Sequence, residues 1–428
     1  MNFKNTLSYA QELDNQDSLH NFREQFHIPK VNKKPAVYLC GNSLGLQPKN
    51  VESSIKQELK DWQELGVEGH FHGKNPWLYY HKFLINPLTK IVGAKPSEVV
   101  VMNNLTANLH LMMVSFYRPT KKRYKIIMEG GAFPSDQYAM ESQTKFHGFQ
   151  PDDAIIELLP REGEQTLRTA DIVATIKANA DELALVMLGG VNYYTGQAYD
   201  MKTITAAAHE VGANAGFDLA HAAGNIKLEL HNWNVDFAVW CSYKYMNSGP
   251  GGTSGVFVHE IHGSNSDLPR FAGWWGHDEE NRFLMKKGFI PMEGAAGWQL
   301  SNAQIFPMAI YKASLEIFEA AGMENLIAKS EKLTAYLEFL LLEINKELNA
   351  TFIKIITPQK PKDRGCQLSL VIAKGGKRIF EEITKQGVIA DWRAPDVIRI
   401  APVPLYNTFE DVFQFASILK KAIVLLGK

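Results

Sequence analysis

The sequence predicts an α/β protein: a mostly parallel sheet covered by helices, followed by a smaller α+β C-terminal domain. Three observations predict it. From about residue 95 to 260, short apolar runs alternate with helix-period stretches. The apolar runs are nearly continuous, as in strands buried on both faces of a parallel sheet. From about residue 307 the texture changes to one long amphipathic stripe followed by short strands.

The strand candidates, in order, are "EVVVM" (98–102), "YKIIME" (124–129), "ELALVMLGG" (182–190), "ANAGFDLA" (213–220), "VDFAVWC" (235–241) and "SGVFVH" (254–259). Helical stretches such as "TANLHLMMVSF" and "MKTITAAAHEVG" lie between them. Further on, Leu326, Leu333, Leu337, Leu341 and Ile344 recur at helical spacing and mark one long amphipathic helix. Short strands are expected at "TFIKII" (351–356), "CQLSLVI" (366–372) and "VIRIA" (397–401), and a closing helix from about 408 to 426. The expected division is an N-terminal segment, 1–55, packing with the small domain, a large domain, 56–306, and a small domain, 307–428. No repeat or low-complexity segment interrupts this order.

Composition narrows the function classes. The 428 residues carry 45 Lys+Arg against 46 Asp+Glu, a net charge of -1. That balance argues against a nucleic-acid footprint and a polybasic membrane surface. Cys40, Cys241 and Cys366 are too few and too scattered for a disulfide framework or a cysteine zinc site. The polar N-terminus has no apolar core of a signal peptide, and no run approaches a membrane helix, so a cytoplasmic protein is expected.

Two acidic and basic residues stand where apolar strands end. Asp218 in "FDLAHAAGN" ends one strand, with His221 close behind. Alone, Asp218 reads first as a helix N-cap. Lys244 in "WCSYKYMNSGPGG" follows the next strand, 26 residues on, one βαβ-scale step away. Alone, Lys244 reads as a surface lysine with a snorkelling stem. Open α/β sheets bind ligands at the carboxyl ends of their strands. Lysine and aspartate together suit pyridoxal phosphate. The lysine forms a Schiff base with the aldehyde, and the aspartate pairs with the pyridinium nitrogen.

In "NNLTANLH" (103–110), Thr106 opens a helix whose N-terminus could hold a phosphate, or is an ordinary cap. The "NSGPGG" loop is not a P-loop. His70 and His72 in "GHFHGKNPW" lack a third ligand cluster nearby, so no metal site is expected. Arg399 in "RIAPVPLYN" is either a carboxylate clamp or a solvated strand arginine.

Together, these stretches resemble the kynureninase family over nearly the whole chain. "GNSLGLQP", "GHFHGKNPW", "NNLTANLHL", "AFPSDQYA", "VNYYTGQ", "GFDLAHAAGN", "WCSYKYMNSGPGG", "GWWGH", "LSNAQI", "RGCQLS" and "RIAPVPLYN" stand in the family's order. No single block is specific; eleven in order are. The resemblance implies a fold-type-I pyridoxal 5'-phosphate enzyme, a homodimer with sites at the subunit interface, acting on a small-molecule substrate. It would cleave kynurenine or 3-hydroxykynurenine hydrolytically to anthranilate or 3-hydroxyanthranilate plus alanine. Such a reaction serves tryptophan breakdown or the supply of quinolinate for NAD synthesis.

By the same resemblance, Lys244 is the Schiff-base lysine and Asp218 the pyridinium partner, with His221 beside it. Leu105 and Thr106 belong to the phosphate site, and Tyr243 is a phosphate ligand and proton relay. Phe133 and Asp136 stack on and border the ring. Trp274 and Asn302 reach the cofactor region from the partner subunit. His70, Ser301 and Asn302 line the substrate-ring pocket as in eukaryotic-type members, which favour 3-hydroxykynurenine. Arg399 clamps the substrate carboxylate. Gly189 departs from the pattern, since some members carry a serine there. The alternatives of the same fold type are a cysteine desulfurase, for which Cys366 would be the nucleophile, and an aminotransferase. A cofactor-binding protein without activity is a reading from another class.

Overall fold

The computed structural model describes residues 3–427. These divide into two compact units, one of residues 51–193 and 199–316, the other of 3–50, 194–198 and 317–427.

The first unit is built on a seven-stranded sheet. Its strands are β1 (Val99–Val101), β2 (Lys125–Glu129), β3 (Ile155–Leu158), β4 (Leu183–Gly189), β5 (Asn214–Asp218), β6 (Phe237–Trp240) and β7 (Gly255–Val258). They lie in the order β1-β7-β6-β5-β4-β2-β3. β7 is antiparallel to both neighbours, and the other pairings are parallel. The six strands expected from the sequence are all present. β3, at the sheet edge, was not foreseen, although Ile155, Ile156 and Leu158 make three of its four residues apolar.

Three helices of this unit bear on the site. They are α1 (Leu105–Phe116), α2 (Pro134–Phe146) and α3 (Met201–Glu210). Leu109, Met112, Met113 and Phe116 of α1 pack with Val239 of β6 and Val256 of β7 in one buried cluster. The sheet is therefore covered on that face as its continuous apolar strands demand. Asn104, not Thr106, caps α1, because its side chain accepts from Ala107 N at 3.1 Å.

The second unit centres on a four-stranded antiparallel sheet. Its strands are β8 (Ile353–Ile355), β9 (Leu368–Ile372), β10 (Asp391–Arg393) and β11 (Val397–Ile400), in the order β8-β9-β11-β10. Against it pack α4 (Met323–Glu347), α5 (Gly376–Lys385) and α6 (Phe409–Leu426). All five residues of the predicted stripe, from Leu326 to Ile344, are buried on α4. β10 and α5 were not foreseen. β10 is three half-exposed residues, two of them charged. The N-terminal helix Leu7–Asn15 joins this unit, where Asp14 accepts from Phe409 N and Glu410 N at the start of α6. Among the described residues, no helix is long and apolar enough to cross a membrane.

Candidate active site

β2, β4 and β5 are neighbours that run in parallel, so their last residues stand side by side. These are Glu129, Gly189 and Asp218, with Gly189 directly opposite Asp218 in register. β6 follows on, and the chain leaving it carries Tyr243 and Lys244. The carboxyl edge of a parallel sheet is where α/β proteins place ligands. A cavity of about 170 Å³ opens there. Leu105, Thr106, Glu129, Phe133, Ser135, Asp136, Gly189, Val191, Tyr193, Asp218, Ala220, His221, Tyr243 and Lys244 line it.

The loop after β6 holds the lysine in place. Ser242 Oγ donates to Thr253 O at 2.6 Å, closing the loop on itself. Gly252 is required there, because a Cβ would stand 2.0 Å from Ser248 Oγ. Lys244 Nζ then lies 3.1 Å from His221 Nε2 and 5.6 Å from the centre of the Phe133 ring. Phe133 itself meets Tyr193 edge to face at 5.3 Å.

Burial pushes the Asp218 carboxyl above its usual range, while Ala220 N–H, Lys244 and Asp136 pull the other way. Asp136 is raised much further, by burial and by the neighbouring Asp218. Two buried carboxyls in contact cannot both ionise at ordinary pH. Asp136 therefore keeps its proton and donates to Asp218, which stays the anion. Glu129 is also buried, and burial pushes it up to about 7. Its two oxygens accept from Gly189 N at 3.1 and 3.2 Å. Burial raises Tyr243 above the usual phenol range, and its hydroxyl is hydrogen-bonded to Cys241.

The residue types suit pyridoxal phosphate. Phe133 offers a face for a ring, Asp218 a buried carboxylate for a protonated ring nitrogen, and Lys244 an amine for an aldehyde. Leu105 and Thr106 occupy the first turn of α1, whose N–H groups have no acceptor within the helix and favour a phosphate.

Eight of the thirteen residues singled out from the sequence line this cavity. His70, Trp274, Ser301 and Asn302 do not. His70 Nδ1 lies 3.0 Å from Val67 O, Trp274 Nε1 donates to Arg282 O at 3.3 Å, and Ser301 and Asn302 are exposed. Arg399 belongs to the second unit. It is fully buried on β11, with Nε donating to Asp391 Oδ1 at 2.9 Å and Nη2 2.8 Å from the same oxygen. Asp391 also accepts from Ser43 Oγ at 2.9 Å. Glu129, Ser135, Val191 and Tyr193 were missed. For Glu129 the signal was present, since "YKIIME" ends in a charge as "GFD" does.

Away from the cavity, Glu98, His231 and His259 bring ligand-type atoms within 4.8 Å of one another. Glu98 Oε1 accepts from Glu260 N at 2.9 Å and lies 2.9 Å from His231 Nδ1, and Oε2 accepts from Lys95 N at 2.8 Å. Hydrogen bonds within the chain account for the cluster.

Residues 37–361 match the class-V aminotransferase family, and residues 326–419 match the kynureninase C-terminal domain. An apo cysteine desulfurase from Thermococcus onnurineus superposes with a TM-score of 0.75 at 16% identity, over 91% of this chain and 95% of that one. A C-DES mutant with glycine covalently linked to its pyridoxal-phosphate cofactor gives 0.76 at 16% identity, over 93% and 98%. At that identity the likeness speaks for the fold alone. The fold and the family match define a class: pyridoxal-phosphate enzymes of the class-V aminotransferase type.

Within that class the sequence comparisons are narrower. The chain is 59% identical to the kynureninase of Flavobacterium johnsoniae over the full length of both. It is 56% identical to that of Myxococcus xanthus, over 98% of this chain and 97% of the relative, and 52% identical to that of Nematostella vectensis, over 97% and 93%. The chain belongs to the kynureninase family, pyridoxal-phosphate-dependent hydrolases that cleave the Cβ–Cγ bond of kynurenine.

Proposed function

We propose that this chain hydrolyses 3-hydroxykynurenine in preference to kynurenine, as a cytoplasmic homodimer, with Lys244 as the residue that carries the cofactor. The observation behind the assignment of the site is the convergence of Lys244, Asp218 and Phe133 on one cavity at the carboxyl edge of the sheet. When bound, pyridoxal phosphate supplies an electron sink for negative charge at the substrate's α- and β-carbons.

The remaining work falls to the chain. Lys244 Nζ takes the proton from Cα of the substrate. His221, 3.1 Å away, orients that amine. Asp218, kept anionic by the proton on Asp136, holds the pyridinium nitrogen charged. Phe133 would offer its face to the cofactor ring, and Leu105 N–H and the Thr106 hydroxyl would hold the phosphate. Tyr243 holds the phosphate as well and moves a proton to and from the γ-carbonyl oxygen while water adds to that carbon. The Cβ–Cγ bond then breaks, the aryl carboxylate leaves, and Cβ is protonated to give alanine.

Arg399 is the proposed clamp for the substrate α-carboxylate, with its fork fixed by Asp391. His70, Ser301 and Asn302 are proposed to bond the 3-hydroxyl of the substrate ring. A pocket built to bond a hydroxyl rejects the analogue without it. Trp274 and Asn302 act from the second copy of the dimer, which accords with their exposure outside the cavity of their own chain. 3-Hydroxyanthranilate as product fits tryptophan breakdown and quinolinate supply alike. Cys366 is wholly buried just before β9, a poor place for a desulfurase nucleophile.

Product release tests the reading. The purified protein with pyridoxal phosphate is given equal amounts of both substrates, and anthranilate, 3-hydroxyanthranilate and alanine are quantified. Alanine with an excess of 3-hydroxyanthranilate is expected, and an excess of anthranilate overturns the pocket assignment. Lys244→Ala should lose the imine absorbance and turnover together; full activity in that variant ends the proposal.

A further inference from the structure

Glu129 is a buried ionisable group of the cavity that the proposed chemistry leaves without a task. It ends β2, the strand next to β4, and both of its carboxyl oxygens accept from the one N–H of Gly189. Gly189 makes room for it, because a Cβ there would stand 3.0 Å from Glu129 Oε1. The carboxyl of a β2 residue thus fills the ground that a β4 side chain would otherwise take at the edge of the cavity.

Three carboxyls face this small space. Glu129 comes from β2, Asp218 from β5 and Asp136 from the first turn of α2. Glu129 feels Asp218, and Asp136 and the Tyr199 phenol feel Glu129. Lys244 supplies cationic charge to the same group. In a buried site each added negative charge is costly unless a positive one meets it. A bound cofactor brings such a charge, on its ring nitrogen and on the nitrogen linking it to Lys244.

We propose that Glu129 is a positioning residue of the cofactor site: it fixes the end of β4 through Gly189 and, as the third carboxyl beside Asp136 and Asp218, sets how much negative charge faces the cofactor. Gly189 and Glu129 act as a pair. The glycine contributes the N–H and the space, and the glutamate contributes the carboxyl. The inference rests on the cofactor reading of the cavity.

The test compares Glu129→Gln, Glu129→Ala and Glu129→Asp with the parent, all prepared as holoenzyme. The readouts are the pH titration of the bound cofactor's visible absorbance, the dissociation constant of pyridoxal phosphate added back to dialysed protein, and thermal melting. Glu129→Gln keeps an acceptor for Gly189 N–H and removes the charge. Its absorbance midpoint should fall by about one unit, because a negative charge that favours the protonated linkage is gone. Its cofactor affinity should stay within about threefold of the parent, while Glu129→Ala, with no acceptor for Gly189, should bind about tenfold more weakly. Glu129→Asp retains the charge and should keep the parent midpoint, even if the glutamine variant folds poorly. An unchanged midpoint in Glu129→Gln, or a midpoint in Glu129→Asp that shifts as far as the glutamine variant's, overturns the inference. If the parent itself shows no cofactor band, the cofactor reading fails instead.

Discussion

At the residue scale, the cavity sets three carboxyls against one lysine, and burial decides which of them ionise. Glu129 carries this into stability. Its carboxyl is pushed from the usual glutamate range up to about 7 in the folded cofactor-free chain. A raised carboxyl favours the folded state fully below the unfolded glutamate value, near 4.5. That contribution is lost as pH rises through the folded value, since only the folded chain still holds the proton in between. The whole effect is of the order of 3 kcal/mol. The cofactor-free parent should therefore lose stability between about pH 4.5 and pH 7 by an amount that Glu129→Gln does not share. Denaturant melts of both proteins across that window measure it. Parallel pH profiles would show that Glu129 is not ionising inside the fold.

At the element scale, the opposite end of β6 carries a second charged group that has a structural task. Asp236, just before β6, is almost wholly buried. Its Oδ2 accepts from Ala215 N of β5 at 2.7 Å and lies 2.9 Å from His209 Nε2 near the end of α3, while Oδ1 lies 2.6 Å from His262 Nε2. One carboxylate thus ties a helix, two strands and a surface turn. Burial pushes Asp236 up, but the hydrogen bonds from His209, His262 and Ala215 outweigh it and hold the carboxyl below its usual range. The same hydrogen bond raises His209. The histidine contribution is complete below the unfolded imidazole value and fades as pH rises through the raised one. The aspartate contribution fades as pH falls below the usual carboxylate range. Asp236→Asn should cost about 2 kcal/mol. The loss should be larger near about pH 6, where His209 is charged, than near about pH 9. Thermal melts at the two values check it, and equal losses would leave no part for the charged histidine.

The elements that the sequence made legible are those whose burial is complete. β4, β5 and β6 are largely apolar runs, and the charged residues at or after the carboxyl ends of β5 and β6, Asp218 and Lys244, belong to the cavity. β10 escaped because its three half-exposed residues form no apolar run, whereas β3 escaped although three of its four residues are apolar. The cap of α1 was placed at Thr106 rather than Asn104 because a threonine before an apolar run is a common start signal, and only the hydrogen bond to Ala107 N tells the two apart. Glu129 had the same strand-end signal as Asp218. It was passed over because no partner in the sequence pointed to it, and its partner is a backbone N–H of a strand 60 residues away.

At the scale of the whole molecule, the proposed dimer assigns parts of each site to two copies. Trp274 and Asn302 lie outside the cavity of their own chain, in a stretch that also exposes Phe271, Phe283, Leu284, Met285 and Ile290. If the chain pairs as proposed, this exposed apolar segment is where the copies would meet. In a two-fold dimer the same patch serves both copies, and each copy lends its side chains to the other's cavity. Lys244→Ala disables the cavity of its own chain. A Trp274→Ala, Asn302→Ala chain has an intact cavity of its own but lends nothing useful to its partner. Each variant alone should be nearly inactive as a homodimer. Co-expressed with different tags and purified through both, the mixed dimer gathers all the substitutions in one site and leaves the other whole. It should recover about half of the parent's turnover per dimer. Turnover no higher than the sum of the two inactive parents would mean that Trp274 and Asn302 serve their own chain. Loss of dimer in the Trp274→Ala, Asn302→Ala parent, seen by light scattering, would place these residues in the interface without a part in the neighbouring site.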